Sequence, residues 1–541
     1  MDELGRILTA DAPFGPRATE DLIHFGTAGA DLLFDRSNLI YAQTESDSLP
    51  TYIIGRKGAG KTAFLVGSRI HGKLPRVMLT TSHVYAEMLR VLHVYNRERG
   101  ALFVDQRADI WMALFEHVAV FHAAHTADET DPQGPIQVLS DYVGDAVGDP
   151  DGATIVAERF LQQLQRRVVE EPGAGFRDVI TGLSHGRVRF AEARRAAAEV
   201  LERRARPPII VMDNLEDLHV RLPELKEVMA GLFRAVGHVV SRNVDHRPYG
   251  LQICLPSELF DQFHEISASP EKDLQGRYVK IYWTARELLR LTGTRLQLFL
   301  RTHHPSKLEM LERKASLYDE PIPEIALLRA ALPDRIHSGL DIEEDPLAYL
   351  LRHTQLLPRH LIQILNSVFS RRDRGSVPWE VTPAAVLSGV RHAEHELAVS
   401  ILNAYQLSYP LATPALRRLT GRLDISFPAS RLHKIYNQQG LKKLTDLDFD
   451  DFLAMLFTLG VVGVRFDQTG RYNKAHFQYT FDYELVAQED VDHLCLHPLF
   501  TRYLLERTLP RLRELRVHAT YPYGCDPKGD DYRQSFGYLG A

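Results

Sequence analysis

Residues 55–62 read Gly55-Arg56-Lys57-Gly58-Ala59-Gly60-Lys61-Thr62. This stretch fits the phosphate-binding pattern G-x-x-x-x-G-K-[ST], with a short apolar, β-rich run before it at residues 51–54. Residues 63–66 continue it as a predicted helix. Glycines let a backbone approach phosphate closely, and the amides of such a loop and of the following helix N-terminus point at an anion. The sequence therefore predicts a strand, a phosphate-binding loop (P-loop) and a helix that together hold a nucleotide.

The loop residues have individual predicted roles. Lys61 is predicted to bridge the β- and γ-phosphates, as a binding and catalytic residue, and Thr62 to offer its hydroxyl to Mg²⁺. The predicted cofactors are accordingly ATP and Mg²⁺. The predicted phosphate contacts come from Gly55, Lys57, Gly58, Ala59, Gly60, Lys61, Thr62 and Ala63.

Composition limits the class of protein. The chain has 541 residues, 45% hydrophobic and 25% charged, which is ordinary for a multidomain globular protein. Its formal net charge of −6 excludes a basic surface over the whole molecule, so any nucleic-acid contact must be local. The three cysteines, Cys254, Cys495 and Cys525, are too few and too widely spaced for a disulfide framework or a zinc cluster. The N-terminus lacks a signal-peptide pattern and no run is long enough for a membrane span, so we expect a cytoplasmic protein without membrane contact.

The order of predicted elements gives the expected fold class. Strands alternate with helices in the first half, which predicts an α/β P-loop NTPase with a parallel sheet covered on both faces. The spacing between the P-loop and the next acidic strand end leaves room for a helical insertion. The predicted organisation is an N-terminal arm (1–48), a P-loop core (49–303) with a helical insertion at about 97–206, an all-helical lid (304–395), a winged-helix-like domain (396–505) and a C-terminal tail (506–541). A short helix is also expected in the arm, at residues 21–26.

A second strand end supplies the expected metal ligand. Residues 209–212 are apolar, and Asp213 follows them directly. A carboxylate at the end of a buried strand, paired with an upstream P-loop, is predicted to hold Mg²⁺ or its water beside Thr62. The catalytic base is left open between Glu216 and Asp217, either of which could polarise an attacking water. If both are only solvated loop acids, hydrolysis is slow or absent.

Three further polar positions are candidates for sensing the nucleotide. Ser257, with Glu258 as the alternative, follows the strand predicted at residues 250–255, where a residue could sense the γ-phosphate. Arg359 stands at the head of a helix begun by Pro358, from which it could reach back to the γ-phosphate. The helix at residues 284–303 carries Arg286, Arg290, Arg295 and Arg301, which form either a solvated face or a source of an arginine for a neighbouring subunit.

The C-terminal third predicts three helices followed by a β-hairpin, as in a winged helix. Helices are expected from Thr413, over residues 430–438 and over 448–459, and strands at 461–466 and 475–479. The region is locally basic, so it could bind DNA or, alternatively, only pack against protein. The basic residues are Arg417, Arg418, Arg422, Arg431, Lys434, Lys442 and Lys443.

These motifs resemble a group of bacterial P-loop ATPases close to the STAND and origin-recognition-like branches of the AAA+ class. The resemblance runs from YIIGRKGAGKTAFL through IIVMDNLEDL, KIYWTARELL and LPRHLIQILN to LFTLGVVGV near the end. It implies phosphate and Mg²⁺ roles for Lys61, Thr62 and Asp213, and a lid-sensor role for Arg359. It also implies a switch that oligomerises, with some relatives in anti-phage or mobile-element systems. Asn214 stands where such families usually carry Glu, and Pro256 where an Arg often follows, and both departures argue against fast hydrolysis.

The sequence therefore predicts a slowly hydrolysing, Mg²⁺-dependent ATPase switch that controls self-assembly or the binding of an effector protein. One alternative is a DNA-binding ATPase, such as a loader or transposition regulator, that uses the winged helix. Another alternative is a scaffold that holds nucleotide without turnover.

Overall fold

The computed structural model describes residues 3–17, 33, 51–65, 75–128, 132–149, 151–171, 173–203, 207–213, 222–241, 249–258, 278–370, 381–478, 491–506, 508, 510–511 and 517–526. The helix expected at residues 21–26 lies outside this set. The described chain divides into two compact units. We call residues 39–56 and 61–281 the sheet unit, and residues 1–38, 57–60 and 282–541 the helical unit.

A parallel sheet organises the sheet unit. Among the described residues it has five strands: β1 (Tyr52–Gly55), β2 (Arg76–Leu79), β3 (Ile209–Met212), β4 (Gly250–Pro256) and β5 (Tyr278–Lys280). Their order is β2-β3-β4-β1-β5, with every neighbouring pair parallel. All residues of β1 and β3 are buried, as expected for apolar strands covered on both faces. The predicted parallel sheet of the P-loop NTPase fold is confirmed.

The predicted insertion is helical, apart from a two-stranded pair at Ser184–His185 and Val188–Arg189. Its longest helix, α2, buries Trp111 and Phe115 completely. The helices of the sheet unit are α1 (Thr81–Arg99), α2 (Val104–His125), α3 (Gln133–Val143), α4 (Gly152–Glu170), α5 (Phe176–Thr181), α6 (Phe190–Glu202) and α7 (Leu222–Ser241).

The helical unit begins with a bundle of helices and one short pair of strands, Ile336–His337 with Glu343–Glu344. Thr284 caps the first helix, because its hydroxyl accepts from the N–H of Glu287 while the Glu287 carboxylate accepts from the Thr284 N–H. The helices are α8 (Ala285–His303), α9 (Pro305–Ala315), α10 (Pro323–Ala331), α11 (Pro346–Arg352), α12 (Pro358–Phe369) and α13 (Pro383–Ala404).

The C-terminal part has the predicted winged-helix arrangement. Helices α14 (Ala412–Leu419), α15 (Ala429–Gln438), α16 (Leu441–Thr445) and α17 (Phe449–Thr458) precede a hairpin, and α18 (Pro498–Leu505) follows it. Asp448 caps α17 by accepting from the N–H of Asp451 at 2.9 Å, as predicted. Gly470 takes the positive φ of 59° at the hairpin turn.

The hairpin belongs to a larger sheet than the sequence predicts. Within the described residues its strands are β6 (Ser426–Pro428), β7 (Val462–Thr469), β8 (Tyr472–His476), β9 (His493–Leu496) and β10 (Ala519–Pro522), in the order β6-β9-β7-β8-β10. Strand β10 comes from the stretch expected to be a tail, and it pairs in parallel with β8.

One apolar core runs through the helical unit, from Phe14 near the N-terminus to Phe452 in α17 and Leu504 in α18. The three cysteines are buried and none forms a disulfide. Among the described helices, none combines the length and the apolar character needed to cross a membrane.

Candidate functional site

The P-loop leaves β1 at Gly55 and leads into a helix that starts at Lys61. Gly58 and Gly60 have φ angles of 89° and 95°, in the region that residues with a side chain rarely adopt. These two glycines therefore shape the turn that sends the backbone from the strand into the helix, as the pattern predicts.

The Lys61 side chain lies back across this turn. Its Nζ donates to the carbonyl oxygen of Gly55 at 3.0 Å and lies 3.4 Å from that of Arg56, and the residue is only 4% exposed. The ammonium group is thus held at the start of the loop. Thr62 occupies the first turn of the helix, next to it in the chain.

The predicted metal ligand is buried at the same edge of the sheet. Asp213 directly follows β3 and is 5% exposed. Strand β4 separates β3 from β1, so the ends of β1 and β3 lie two strand spacings apart, about 10 Å. A magnesium ion with its waters or a phosphate oxygen can span such a distance between two oxygen ligands.

Thr81, which the sequence analysis did not single out, positions Asp213. Its hydroxyl accepts from the Asp213 N–H at 2.9 Å and donates to the carbonyl oxygen of Leu79 at 3.3 Å. Thr81 starts α1 and is 3% exposed, so the bond is shielded from water. Its place two residues after the end of β2 is the only sequence signal that could have indicated this role.

Ser257 lies level with the start of the P-loop. Pro256, the last residue of β4, is in register with Gly55, and Ser257 is the next residue. Its hydroxyl is 3.4 Å from a carboxylate oxygen of the buried Glu258. The structure thus brings Ser257 and the alternative candidate Glu258 to one place. The candidate bases Glu216 and Asp217 lie outside the described residues.

Within the helical unit, Arg359 contacts the P-loop segment 57–60. Its main-chain N–H donates to the carbonyl oxygen of Gly58 at 3.4 Å. A Cβ atom added at Gly58 would come within 2.9 Å of Arg359 Cβ. Trp283, missed at the sequence level, donates from Nε1 to the carbonyl oxygen of Ala59 at 2.7 Å. Segment 57–60 is therefore packed against Arg359, at the start of α12, and against Trp283.

The arginines of α8 have different surroundings. Arg295 is 8% exposed and donates to the carbonyl oxygen of Phe14 at 2.8 Å, and burial lowers its pKa to about 10. Arg286 pairs with Glu320 at 2.9 Å. Arg295 thus binds the N-terminal segment through Phe14. Of the four arginines of this helix, Arg301 is the exposed one.

The chemistry of the donors fits Mg²⁺ and a nucleotide. Thr62 and Asp213 offer hydroxyl and carboxylate oxygens, which Mg²⁺ prefers, and Lys61 offers an ammonium group for phosphate. In the described parts of the chain, no three His, Cys, Asp or Glu residues are grouped to hold a metal by themselves. The substrate phosphates would have to complete such a magnesium site.

Comparisons with known proteins add two likenesses. No protein-family model matches the chain. It is 20% identical over 475 residues to the putative transposon gamma-delta 80.3 kDa protein of Escherichia coli (strain K12), an alignment that covers 83% of this chain. The chain spans 61% of the length of that relative. Among solved structures, it is similar to the Aeropyrum pernix ORC1 protein in complex with DNA, with a TM-score of 0.31, 15% identity and coverage of 90% of this chain and 94% of that one.

Proposed function

We propose that this protein is an ATP-binding, slowly hydrolysing, Mg²⁺-dependent switch whose nucleotide state controls self-assembly or the binding of a partner protein. The observation that carries the proposal is the packing of P-loop segment 57–60 against Arg359 and Trp283. A shift of that segment towards α12 would meet Arg359, and a shift away would break the hydrogen bond from the Arg359 N–H to Gly58. Nucleotide occupancy is thereby coupled to the lid helices.

In this proposal each loop residue has a separate task. The amides of residues 57–63 and the Lys61 ammonium bind the phosphates, while Thr62 and Asp213 hold Mg²⁺. Ser257 contacts the γ-phosphate from the end of β4, and Arg359 does so from the lid. Bound ATP with Mg²⁺ supplies a γ-phosphoryl group open to attack by water and a cation that neutralises its charge.

Turnover is expected to be slow. Asn214 replaces the acid that commonly follows the metal-binding Asp, which leaves Glu216 or Asp217 to polarise water from further along the chain. Slow hydrolysis suits a switch, because the ATP-bound state must last long enough for assembly.

The proposal is tested by native mass measurement with and without ATP and Mg²⁺. We expect the wild-type protein to form a larger particle only with ATP, and Lys61→Ala to lose both ATP binding and the larger particle. Lys314→Ala, which changes an exposed lysine of α9, is the matched control and should behave as wild type. Nucleotide binding by the wild type without any change of mass, alone or with a partner protein, would overturn the switch. Binding without any turnover would leave the scaffold alternative.

A second candidate function, binding of duplex DNA, is favoured by the exposed cations of α14–α16. Arg417, Lys434, Lys442 and Lys443 are exposed and make no ion pair with the described residues. By contrast, the side chains of Arg418, Arg422 and Arg431 donate to backbone carbonyls, and Arg431 also pairs with Asp424. The likeness to a putative transposon protein agrees with this function.

We do not expect the hairpin to contact DNA. Arg471 at its turn donates to the carbonyl oxygens of Asp341 and Leu340, at 2.9 and 3.2 Å, so its guanidinium is already engaged. We therefore assign the contact to the face of α15 and α16. The double variant Lys442→Gln/Lys443→Gln should weaken duplex binding and reduce its salt dependence by roughly one to two counterions. Binding with an unchanged salt slope would argue against this face.

A further inference from the structure

A cavity of about 130 Å³ lies inside the helical unit. The residues that line it are far from segment 57–60 in the sequence. It is surrounded by the turn between Ile336–His337 and Glu343–Glu344, by α11 and α13, and by α18 and β10. Its lining therefore combines helices of the predicted lid with elements of the C-terminal domain. The polar residues that line it include Ser338, Arg352, His353, Arg391, Glu394 and Arg502.

The three arginines differ in how their charge is balanced. Arg352 is buried and forms a two-point ion pair with Glu344, at 2.9 and 2.8 Å, so its charge is compensated. Arg502 pairs with Glu506 at 2.8 Å in a partly exposed bond, which water and salt weaken. Arg391 is exposed and has neither an ion pair nor a hydrogen bond with the described residues. The cavity therefore carries an excess of positive charge.

The one acid in the lining does not cancel this excess. Burial raises the pKa of Glu394 to about 8, although Arg352, Arg502 and Arg391 all act to lower it. Its carboxyl lies 3.3 Å from Nε2 of His353, whose pKa burial lowers well below its usual range. Both groups are thus mainly uncharged near pH 7. They therefore do not offset the positive charge of the arginines.

A buried hydroxyl without a partner completes the lining. Ser338 is 6% exposed and its Oγ makes no hydrogen bond with the described residues. Its backbone is fixed, because its N–H donates to Ile342 at 2.8 Å and its carbonyl accepts from Asp341 at 3.0 Å. A buried polar group normally has a partner, so this lining hydroxyl has hydrogen-bonding capacity that a ligand in the cavity can take up.

We propose that this cavity binds a small phosphate-bearing anion, either inorganic phosphate or the phosphate of a small ester. The donors belong to separate elements around the cavity, which suits the several oxygens of a tetrahedral oxyanion better than a flat carboxylate. A cavity of about 150 Å³ holds benzene, so this one has room for the five heavy atoms of phosphate but not for a nucleotide. A bound anion joins the helices of the predicted lid to the C-terminal sheet, and the proposal does not depend on nucleotide binding at the P-loop.

The test is calorimetric titration of the full-length Lys61→Ala variant, which removes binding of phosphate at the P-loop, with inorganic phosphate and with glycerol phosphate. Acetate at the same ionic strength is the ligand control. We expect one site for inorganic phosphate, weakened about tenfold by Arg391→Gln or by Ser338→Ala, since each substitution removes a hydrogen bond to a charged group. Arg166→Gln, which changes an exposed arginine of α4 outside the cavity, should leave the affinity unchanged.

Comparing the affinities for inorganic phosphate and glycerol phosphate identifies which kind of phosphate the cavity binds. Tighter binding of glycerol phosphate than of inorganic phosphate assigns the cavity to an ester, and the reverse assigns it to the free ion. No binding of either, equal binding of acetate, or a phosphate affinity that neither Arg391→Gln nor Ser338→Ala changes would overturn the proposal. Both substitutions leave the Arg352–Glu344 pair intact, so loss of binding would not reflect loss of that ion pair.

Discussion

The main-chain N–H of Arg359 donates to the carbonyl oxygen of Gly58 at 3.4 Å, and only the missing side chain of Gly58 allows the two residues to approach so closely. Gly58 thus meets two requirements at once, a φ angle of 89° and room for Arg359 Cβ. At this position the P-loop and the start of α12 are in direct contact, with no room for a side chain on residue 58.

This relationship predicts the effect of Gly58→Ala. An alanine at positive φ costs about 1 kcal/mol in folding free energy, and here its methyl group would also push against Arg359. We expect ATP affinity to fall by more than tenfold. Gly421→Ala is the matched control, because Gly421 has a φ of 73° with open space around it. Chemical denaturation should show a loss of stability in both, larger in Gly58→Ala because of the added contact with Arg359, while only Gly58→Ala loses ATP affinity.

Trp283 should report nucleotide binding. Because its Nε1 donates to the carbonyl of Ala59, we expect ATP to change its fluorescence, and Trp283→Phe to abolish the change and weaken ATP binding several-fold. Trp111→Phe is the control, since Trp111 is fully buried and bonded to Val228. A fluorescence response that survives in Trp283→Phe would show that the loop segment does not move as proposed.

Thr81 is predicted to matter through Asp213. Thr81→Val keeps the shape but removes the acceptor for the buried Asp213 N–H, which costs about 1–3 kcal/mol in folding free energy. Because Asp213 is then less firmly placed, a higher Mg²⁺ concentration should be needed for ATP binding. Thr81→Ser keeps the hydroxyl and should restore both properties. Equal Mg²⁺ dependence in Thr81→Val and the wild type would contradict the positioning role.

Stability should depend on pH through Glu394. Its folded pKa of about 8 lies above its ordinary value of 4.5, so its contribution is fully present below pH 4.5 and is lost as pH rises through 8. His353 has a lowered pKa, so its contribution is lost only as pH falls below 6.5. Between pH 6.5 and 8 the free energy of unfolding should therefore fall by roughly 1–2 kcal/mol because of Glu394.

Glu394→Gln mimics the protonated acid and separates this effect from other titrations. Urea denaturation should give nearly equal stabilities for the variant and the wild type below pH 4.5, and an advantage of the variant that grows as pH rises from 4.5 to 8. A constant difference across this range would show that the Glu394 carboxyl keeps an ordinary pKa.

Local sequence patterns predicted most of the elements and the turn of the P-loop. The alternation of apolar runs with turn residues predicted the strands, and Asp448 predicted the start of α17, because a cap bond joins neighbours in the chain. The P-loop pattern predicted the conformations of Gly58 and Gly60 for the same reason.

Contacts between distant segments could not be predicted in this way. Trp283 and Ala59 are 224 positions apart, and Arg471 and Asp341 are 130 apart. No periodicity or spacing encodes such pairs, since they depend on how packed elements come together. The positioning role of Thr81, the parallel pairing of β10 with β8 and the cavity beside Ser338 were missed for this reason.

The central claim, that nucleotide at the P-loop acts on the lid, is tested most directly by hydrogen exchange at the head of α12. The account predicts that ATP with Mg²⁺ changes amide exchange at residues 359–362 in the wild type, since the Arg359 N–H is bonded to the loop, and leaves it unchanged in Lys61→Ala. ATP binding by the wild type with no change of exchange at these residues would contradict the claim.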